Sequence, residues 1–137
     1  MPTSSEWEYA CRGGATSEED CSYDFYFAKP TNDLSSKEAN FNGIGPAGDA
    51  AKGPYLERTT KVGSYAPNNL GLFDMHGNIY QWCEDVAGPD GRFRVVRGGR
   101  WDHGAESCRT AESGLDSPFS RSNNCGIRLV RVHIAGK

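Results

Sequence analysis

The sequence contains no apolar run long enough to cross a membrane, and its opening residues, MPTSSEWEYACRGG, are polar from the start. Neither a membrane span nor a signal peptide is expected, and the chain reads as soluble. No C-x-x-C pair occurs and the three histidines are scattered, which argues against a structural zinc site. There is no excess of positive charge: 15 basic against 18 acidic residues give a net charge of −3, unsuited to general nucleic-acid binding. Lysine is missing between Lys61 and Lys137, so planar, multi-donor arginine supplies the cationic hydrogen bonding there. Apolar residues make up only 36% of the chain, so the core must be small or built from aromatic rings.

Those rings are present, as three Trp, six Tyr and six Phe, together with 17 Gly and 7 Pro that favour a loop-rich fold over long helices. The 137 residues suit one α+β domain. Five cysteines (Cys11, Cys21, Cys83, Cys108 and Cys125) are an odd number, so at least one is free or pairs between chains. The cellular compartment is left open.

Thr3-Ser4-Ser5-Glu6 has the spacing of a capping box, and Trp7, Ala10 and Cys11 form one apolar stripe before Gly13-Gly14. A helix over residues 4–12 follows, ended by glycine in the left-handed conformation. From Ala15 to Thr60 no long periodic segment appears. Tyr23, Phe25, Tyr26 and Phe27 either form a short strand or pin a loop, and the irregular chain is held by aromatic self-packing or by a bound cation. Pro67-Asn68-Asn69 and His76-Gly77-Asn78 read as tight turns, and Ile79, Tyr80 and Trp82 as a short strand. Pro89-Asp90-Gly91 marks a hairpin turn into RFRVVRGG, with Phe93 and Val95 on one face and Arg92, Arg94 and Val96 on the other. GIRLVRVHI reads as a last strand.

The phrases PTSSEWEYACRGG, VGSYAPNNLGLFDMHGNIYQWCED, RVVRGGRW and CGIRLV, in this order across nearly the whole chain, resemble the formylglycine-generating-enzyme (sulfatase-modifying-factor) family. That resemblance implies a variant of the C-type lectin fold. Family members usually carry further residues ahead of the first phrase, so a minimal or truncated version is expected. Some members bind calcium, which takes oxygen ligands. Asn40-Phe41 matches the start of one calcium site, and Asn78 with Gln81 the place of a second. Lys52-Gly53 stands where Asp-Gly is expected, and neutral Gln81 where Glu is expected. Both substitutions weaken the binding of a hard cation, so calcium is a possible ligand and no cofactor is required; the alternative is that these amides cap turns.

The catalytic members use two cysteines five residues apart for copper-dependent oxidation. Here Cys108 occupies the second position and His103 the first. One thiol beside one imidazole is a poor site for monovalent copper, so enzymatic activity is not favoured. A buried contact or a disulfide between Cys83 and Cys108 fits the non-catalytic relatives, and Cys125 reads as a small core residue. Asp102-His103 with Ser107 superficially offers a catalytic triad, a combination common in polar loops. Arg97-Gly98-Gly99-Arg100 lacks the context of a phosphate loop.

The resemblance extends to a second branch, the variable proteins of diversity-generating retroelements. These display side chains near the C-terminus that are diversified by error-prone copying of template adenines. The segment 97–128 is the matching variable region. Asp102, His103, Gly104, Ser107, Ser113, Gly114 and Leu115 are all residues reachable from an AAC codon by changing adenines. So are Asp116, Ser117, Phe119, Ser120 and Ser122, and Arg100 completes the candidate face, whereas Glu106 and Glu112 must be fixed. Trp101, Ala105, Cys108, Ala111 and Ile127 would anchor the loop from beneath, with His103, Leu115 and Phe119 as contact anchors. Arg97, Arg109, Arg121 and Arg128 would hold it by hydrogen bonds. The expected function is non-catalytic binding of a protein or glycan by residues 100–122. The alternative is a fragment of a sulfatase-modifying oxidase.

Overall fold

The computed structural model describes residues 1–131. Helix α1, Ser4–Cys11, starts on the expected capping box: the Glu6 N–H donates to Thr3 Oγ1 at 3.2 Å and the Thr3 N–H to Glu6 Oε2 at 2.8 Å. It ends where Gly13 and Gly14 turn to φ +67° and +84°, a region costly for other residues. Trp7 and Cys11, four residues apart on one face, are buried.

Strands β1 (Phe25–Tyr26) and β2 (Pro30–Thr31) form a small antiparallel pair. Phe25 and Tyr26 are both buried, so the aromatic run makes a strand and pins its loop together. Around them the irregular chain packs on itself: Phe25, Leu34, Ala39, Phe41 and Ala47 form one apolar cluster with Ala105 and Cys108 from the later chain. A second cluster joins Trp7 and Cys11 to Met75 and Cys83, with Val95 packed against it.

The main sheet is built from β3 (Tyr80–Ala87), β4 (Phe93–Arg97), β5 (Ser113–Asp116) and β6 (Cys125–Gly126), in the order β5-β4-β3-β6. Strand β3 runs Tyr80–Ala87, longer than the sequence suggested, and pairs antiparallel with β4, Phe93–Arg97. Their connection is the expected turn, closed by the Gly91 N–H on Gly88 O. The register shifts between Trp82 and Val86, a bulge that raises local twist. Strand β5, Ser113–Asp116, pairs antiparallel with β4 at one edge. At the other edge β6 pairs with β3 in parallel.

The last strand is much shorter than expected. Only Cys125–Gly126 pair with β3, and residues 127–131 leave the sheet. The alternation in GIRLVRVHI has no second strand to pair with there, since the chain arrives after crossing the sheet from β5. The remainder of that expectation, from Val132 onward, lies outside the described residues. Among the described residues, no helix is long and apolar enough to cross a membrane.

Candidate ligand-binding site

The segment after β4 is fastened from below before its surface is displayed. Arg97 is buried, and its guanidinium donates to the carbonyls of Thr110 and Glu112 at 3.0 and 3.1 Å, to Ser4 Oγ at 2.8 Å and to Glu8 Oε2 at 3.0 Å. Gly99 follows with φ +77°, and a Cβ there would stand 2.5 Å from Cys108 Sγ, so only glycine lets the short 3-10 turn Ala105–Cys108 close against it. That turn is tied to the earlier loops. The Ala105 N–H donates to Gly45 O and the Asn42 N–H to His103 O, each at 2.8 Å. The Thr110 N–H and Oγ1 both donate to Asp24 O, and Arg109 pairs with Asp24 at 3.0 Å.

Above these ties lies a cavity of about 500 Å³. Arg100, His103, Gly114, Leu115, Asp116, Ser120 and Ser122 line it, and all of them are candidate positions. Tyr80, Val96, Arg121 and Asn124 complete the wall. Tyr80 and Val96 carried only a strand pattern in the sequence, and their place under the cavity follows from β3 and β4 lying side by side. Arg100 stacks over the Tyr80 ring at 5.6 Å and pairs with Asp102 at 3.0 Å, while its other nitrogen meets His103 Nε2. Burial pushes the Tyr80 phenol up from its ordinary pKa, and the nearby Arg100 charge works against that shift. Asn124 donates to Asp102 Oδ2 at 3.3 Å and accepts the Tyr80 N–H through its backbone carbonyl, which closes the ring of contacts.

Exposure divides the candidates. His103, Ser113, Ser120 and Ser122 are exposed, Leu115 is 56% exposed and Phe119 90%. Arg100, Asp102, Gly104, Gly114, Asp116 and Ser117 are half-buried. Ser107 departs from the expected surface position: it is buried, and its hydroxyl donates to Gly104 O at 2.8 Å within the 3-10 turn. Of the expected anchors, Ala105 and Cys108 are fully buried and Trp101 is half-buried, stacked on Tyr55 at 6.4 Å. Ala111 and Ile127 are exposed, and Thr110 and Arg97 take the anchoring role in their place.

The alternative chemistries are not assembled. Cys108 is wholly buried, and burial pushes its thiol up to about 12. His103 is exposed. Ser107 turns its hydroxyl into its own turn, so the apparent triad has no nucleophile. All five cysteines are free, and the expected Cys83–Cys108 contact is absent because the two lie in different apolar clusters. Cys125 is half-buried, on a strand edge rather than in the core.

The amides considered for calcium are engaged internally. Asn78 Oδ1 accepts from Asn40 Nδ2 at 3.1 Å and from the Thr60 N–H at 2.9 Å. Gln81 Oε1 accepts from Trp7 Nε1 at 2.8 Å and from Arg128 Nε at 2.6 Å. Phe41 is sealed in the apolar cluster. Oxygens facing N–H donors do not fit a hard cation, and among the described residues no group of three His, Cys, Asp or Glu could hold a metal.

Residues 1–133 match the sulfatase-modifying factor enzyme 1-like domain family. The chain belongs to this family. It is 30% identical over 147 aligned positions to the formylglycine-generating enzyme of Streptomyces coelicolor, covering 93% of this chain and 45% of that protein. It is 30% identical over 135 positions to a mouse protein named inactive C-alpha-formylglycine-generating enzyme 2, covering 93% of this chain and 41% of that one. A serine/threonine-protein kinase pkn1 from Chlamydia pneumoniae matches at 30% identity over 96% of this chain and 20% of its own length. The chain thus spans less than half of each of these relatives. Among solved structures, Treponema denticola variable protein 1 superposes with a TM-score of 0.69 at 27% identity, over 93% of this chain and 45% of that one. The α+β, C-type-lectin-like fold of the sulfatase-modifying-factor family is the fold of this chain, and its likeness extends to the variable-protein branch. Relatives named as enzyme and as inactive both match, so the chemistry must be argued from the residues of this chain.

Proposed function

We propose that this chain is a non-catalytic ligand-binding member of the sulfatase-modifying-factor family. It displays residues 100–122, within the variable region 97–128, as a changeable surface for a protein or glycan. It requires no metal or cofactor for that role, and its biological setting is that of a variable protein diversified by a retroelement. The observation that carries this reading is the gathering of Arg100, His103, Gly114, Leu115, Asp116, Ser120 and Ser122 around one cavity, above a buried fastening to which His103 lends only its backbone carbonyl and the others nothing. Side chains in such positions can be exchanged without opening the core, and a rigid frame lowers the ordering cost of binding. The buried Cys108 thiol, with His103 in place of its partner sulfur, supports the non-catalytic reading.

The test is genetic and chemical. The DNA beside the gene should hold a near-identical copy of the coding segment for 97–128, differing at adenines, together with a reverse transcriptase. Formation of formylglycine on a cysteine-containing sulfatase peptide, with copper and oxygen, would overturn the proposal in favour of the oxidase.

A further inference from the structure

We infer that the partner of this surface is an extended peptide segment of a protein, which adds as a further strand to the free edge of β5 and sets one side chain into the cavity above Gly114. The inference rests on the display reading and narrows its ligand from protein or glycan to protein.

Strand β5 is outermost in the order β5-β4-β3-β6. In an antiparallel pair every second residue turns both its N–H and its C=O away from the partner strand. Among the described residues, no backbone group of Ser113–Asp116 finds a partner beyond β4. Sheet edges are commonly blocked by lysine, proline or a bulge. The sequence Ser113-Gly114-Leu115-Asp116 has neither residue type, and its register with β4 is unbroken. The opposite edge strand, β6, is only two residues long. Four residues of free edge span roughly 13 Å, enough to pair with a short extended peptide. A glycan presents hydroxyls but no ladder of N–H and C=O at that spacing.

The cavity beside this edge supplies the side-chain site. Gly114 lies in β5 with no left-handed backbone angle, so the conformation does not demand glycine. A Cβ there would stand 3.0 Å from Val96 Cγ2 and 3.8 Å from the Tyr80 ring, so the floor is open because that side chain is missing. Whatever residue occupies position 114 sets the depth of the site. Its charges are balanced: Arg100 is matched by Asp102, while Asp116 and Arg121 have no ion-pair partner among the described residues. One open charge of each sign complements a peptide carrying both signs better than a polyanion.

The experiment pans a phage-displayed library of random linear peptides against the full chain. A selected peptide is then synthesised unmodified and with alternate backbone amides N-methylated. Binding should slow amide exchange in Ser113–Asp116. Methylating one alternating set of amides should weaken binding about tenfold or more, and the other set should have little effect. Gly114→Ala should weaken binding and Gly114→Val weaken it further, by a factor similar to that of N-methylation, each compared in protein whose cooperative melting shows that it is folded at the assay temperature. Selection of no peptide, protection confined to other segments, or indifference to N-methylation overturns the inference. A glycan from an array that binds this face, loses binding in Phe119→Ala and keeps it in Gly114→Val also overturns it, while leaving the display surface standing.

Discussion

Nδ1 of His76 donates to the backbone carbonyl of Cys108 at 2.8 Å, and Nε2 of the same ring accepts the Tyr26 N–H at 2.9 Å. One neutral imidazole thereby joins the first aromatic strand to the turn that supports the candidate site. Phe25 and Phe27 pack on its ring, and the thiol of Cys11 lies 3.7 Å from Nε2. Only the neutral tautomer can serve both bonds, because a protonated ring would turn a donor toward the Tyr26 donor.

Acid stability should follow from this arrangement. Burial lowers the His76 pKa from 6.5 to about 4, so between these values the unfolded chain binds a proton that the folded one refuses. Its contribution to stability is complete above about pH 6.5 and declines by up to ~1.4 kcal/mol per pH unit below, reaching about 3 kcal/mol by pH 4. Urea unfolding at pH 7 and pH 5 should show a lower midpoint at pH 5. The difference between the parent chain and His76→Gln should shrink over the same interval. An equal pH slope in both proteins would refute the role of the ring.

The thiols should be inert in the folded chain. Cys11 and Cys108 are fully buried, and desolvation pushes each up to about 12, so almost no thiolate exists at neutral pH. A maleimide should leave both unmodified in native protein, and labelling should rise on addition of denaturant. Rapid native modification of Cys108, read by peptide mapping, would contradict the buried placement.

Much of the frame was legible because its signals are local. The capping box at Thr3–Glu6, the glycines at 13 and 14 that end the helix and the turn before β4 each specify a backbone conformation within a few residues. What stayed hidden depends on contacts between distant segments. His76 sits in a turn-like phrase, and nothing nearby in sequence marks it as the link between Tyr26 and Cys108. Thr110 reads as a polar loop residue, yet its hydroxyl reaches Asp24 O across 86 positions. The apolar alternation after Cys125 suggested a long strand, but pairing requires a neighbour, and β3 offers one only for two residues. Ser107 was assigned to the surface from codon reachability and Ile127 to the underside of the loop from the last strand's pattern, and neither signal says which face other segments cover.

Arginine at position 97 should be irreplaceable by lysine. Its guanidinium contacts Ser4, Glu8, Thr110 and Glu112, and 7% of the residue is exposed. A lysine ammonium keeps the charge but cannot reach a helix, a carboxylate and two carbonyls from one planar group. Arg97→Lys should cost about 2 kcal/mol and Arg97→Met about 3 kcal/mol or more, since Arg97→Met also leaves Glu8 without this partner and two carbonyls unpaired. Chemical denaturation of both variants measures this, and a loss below half a kcal/mol in Arg97→Lys would remove Arg97 from the fastening.

The surface above that fastening should tolerate exchange. Phe119 is 90% exposed and Leu115 56%, so truncating them removes little buried area. Phe119→Ser and Leu115→Ser should each shift stability by no more than about 0.5 kcal/mol. Phe25→Ala and Leu34→Ala, at positions with no exposure, should cost about 2–5 kcal/mol through lost burial and the cavity left behind. Combining Phe119→Ser with Leu115→Ser should remain near the sum of the two small changes, unless the side chains lean on a common support. A loss of several kcal/mol in either surface variant would mean that these residues hold the loop rather than face a partner, and the display reading would lose its physical basis.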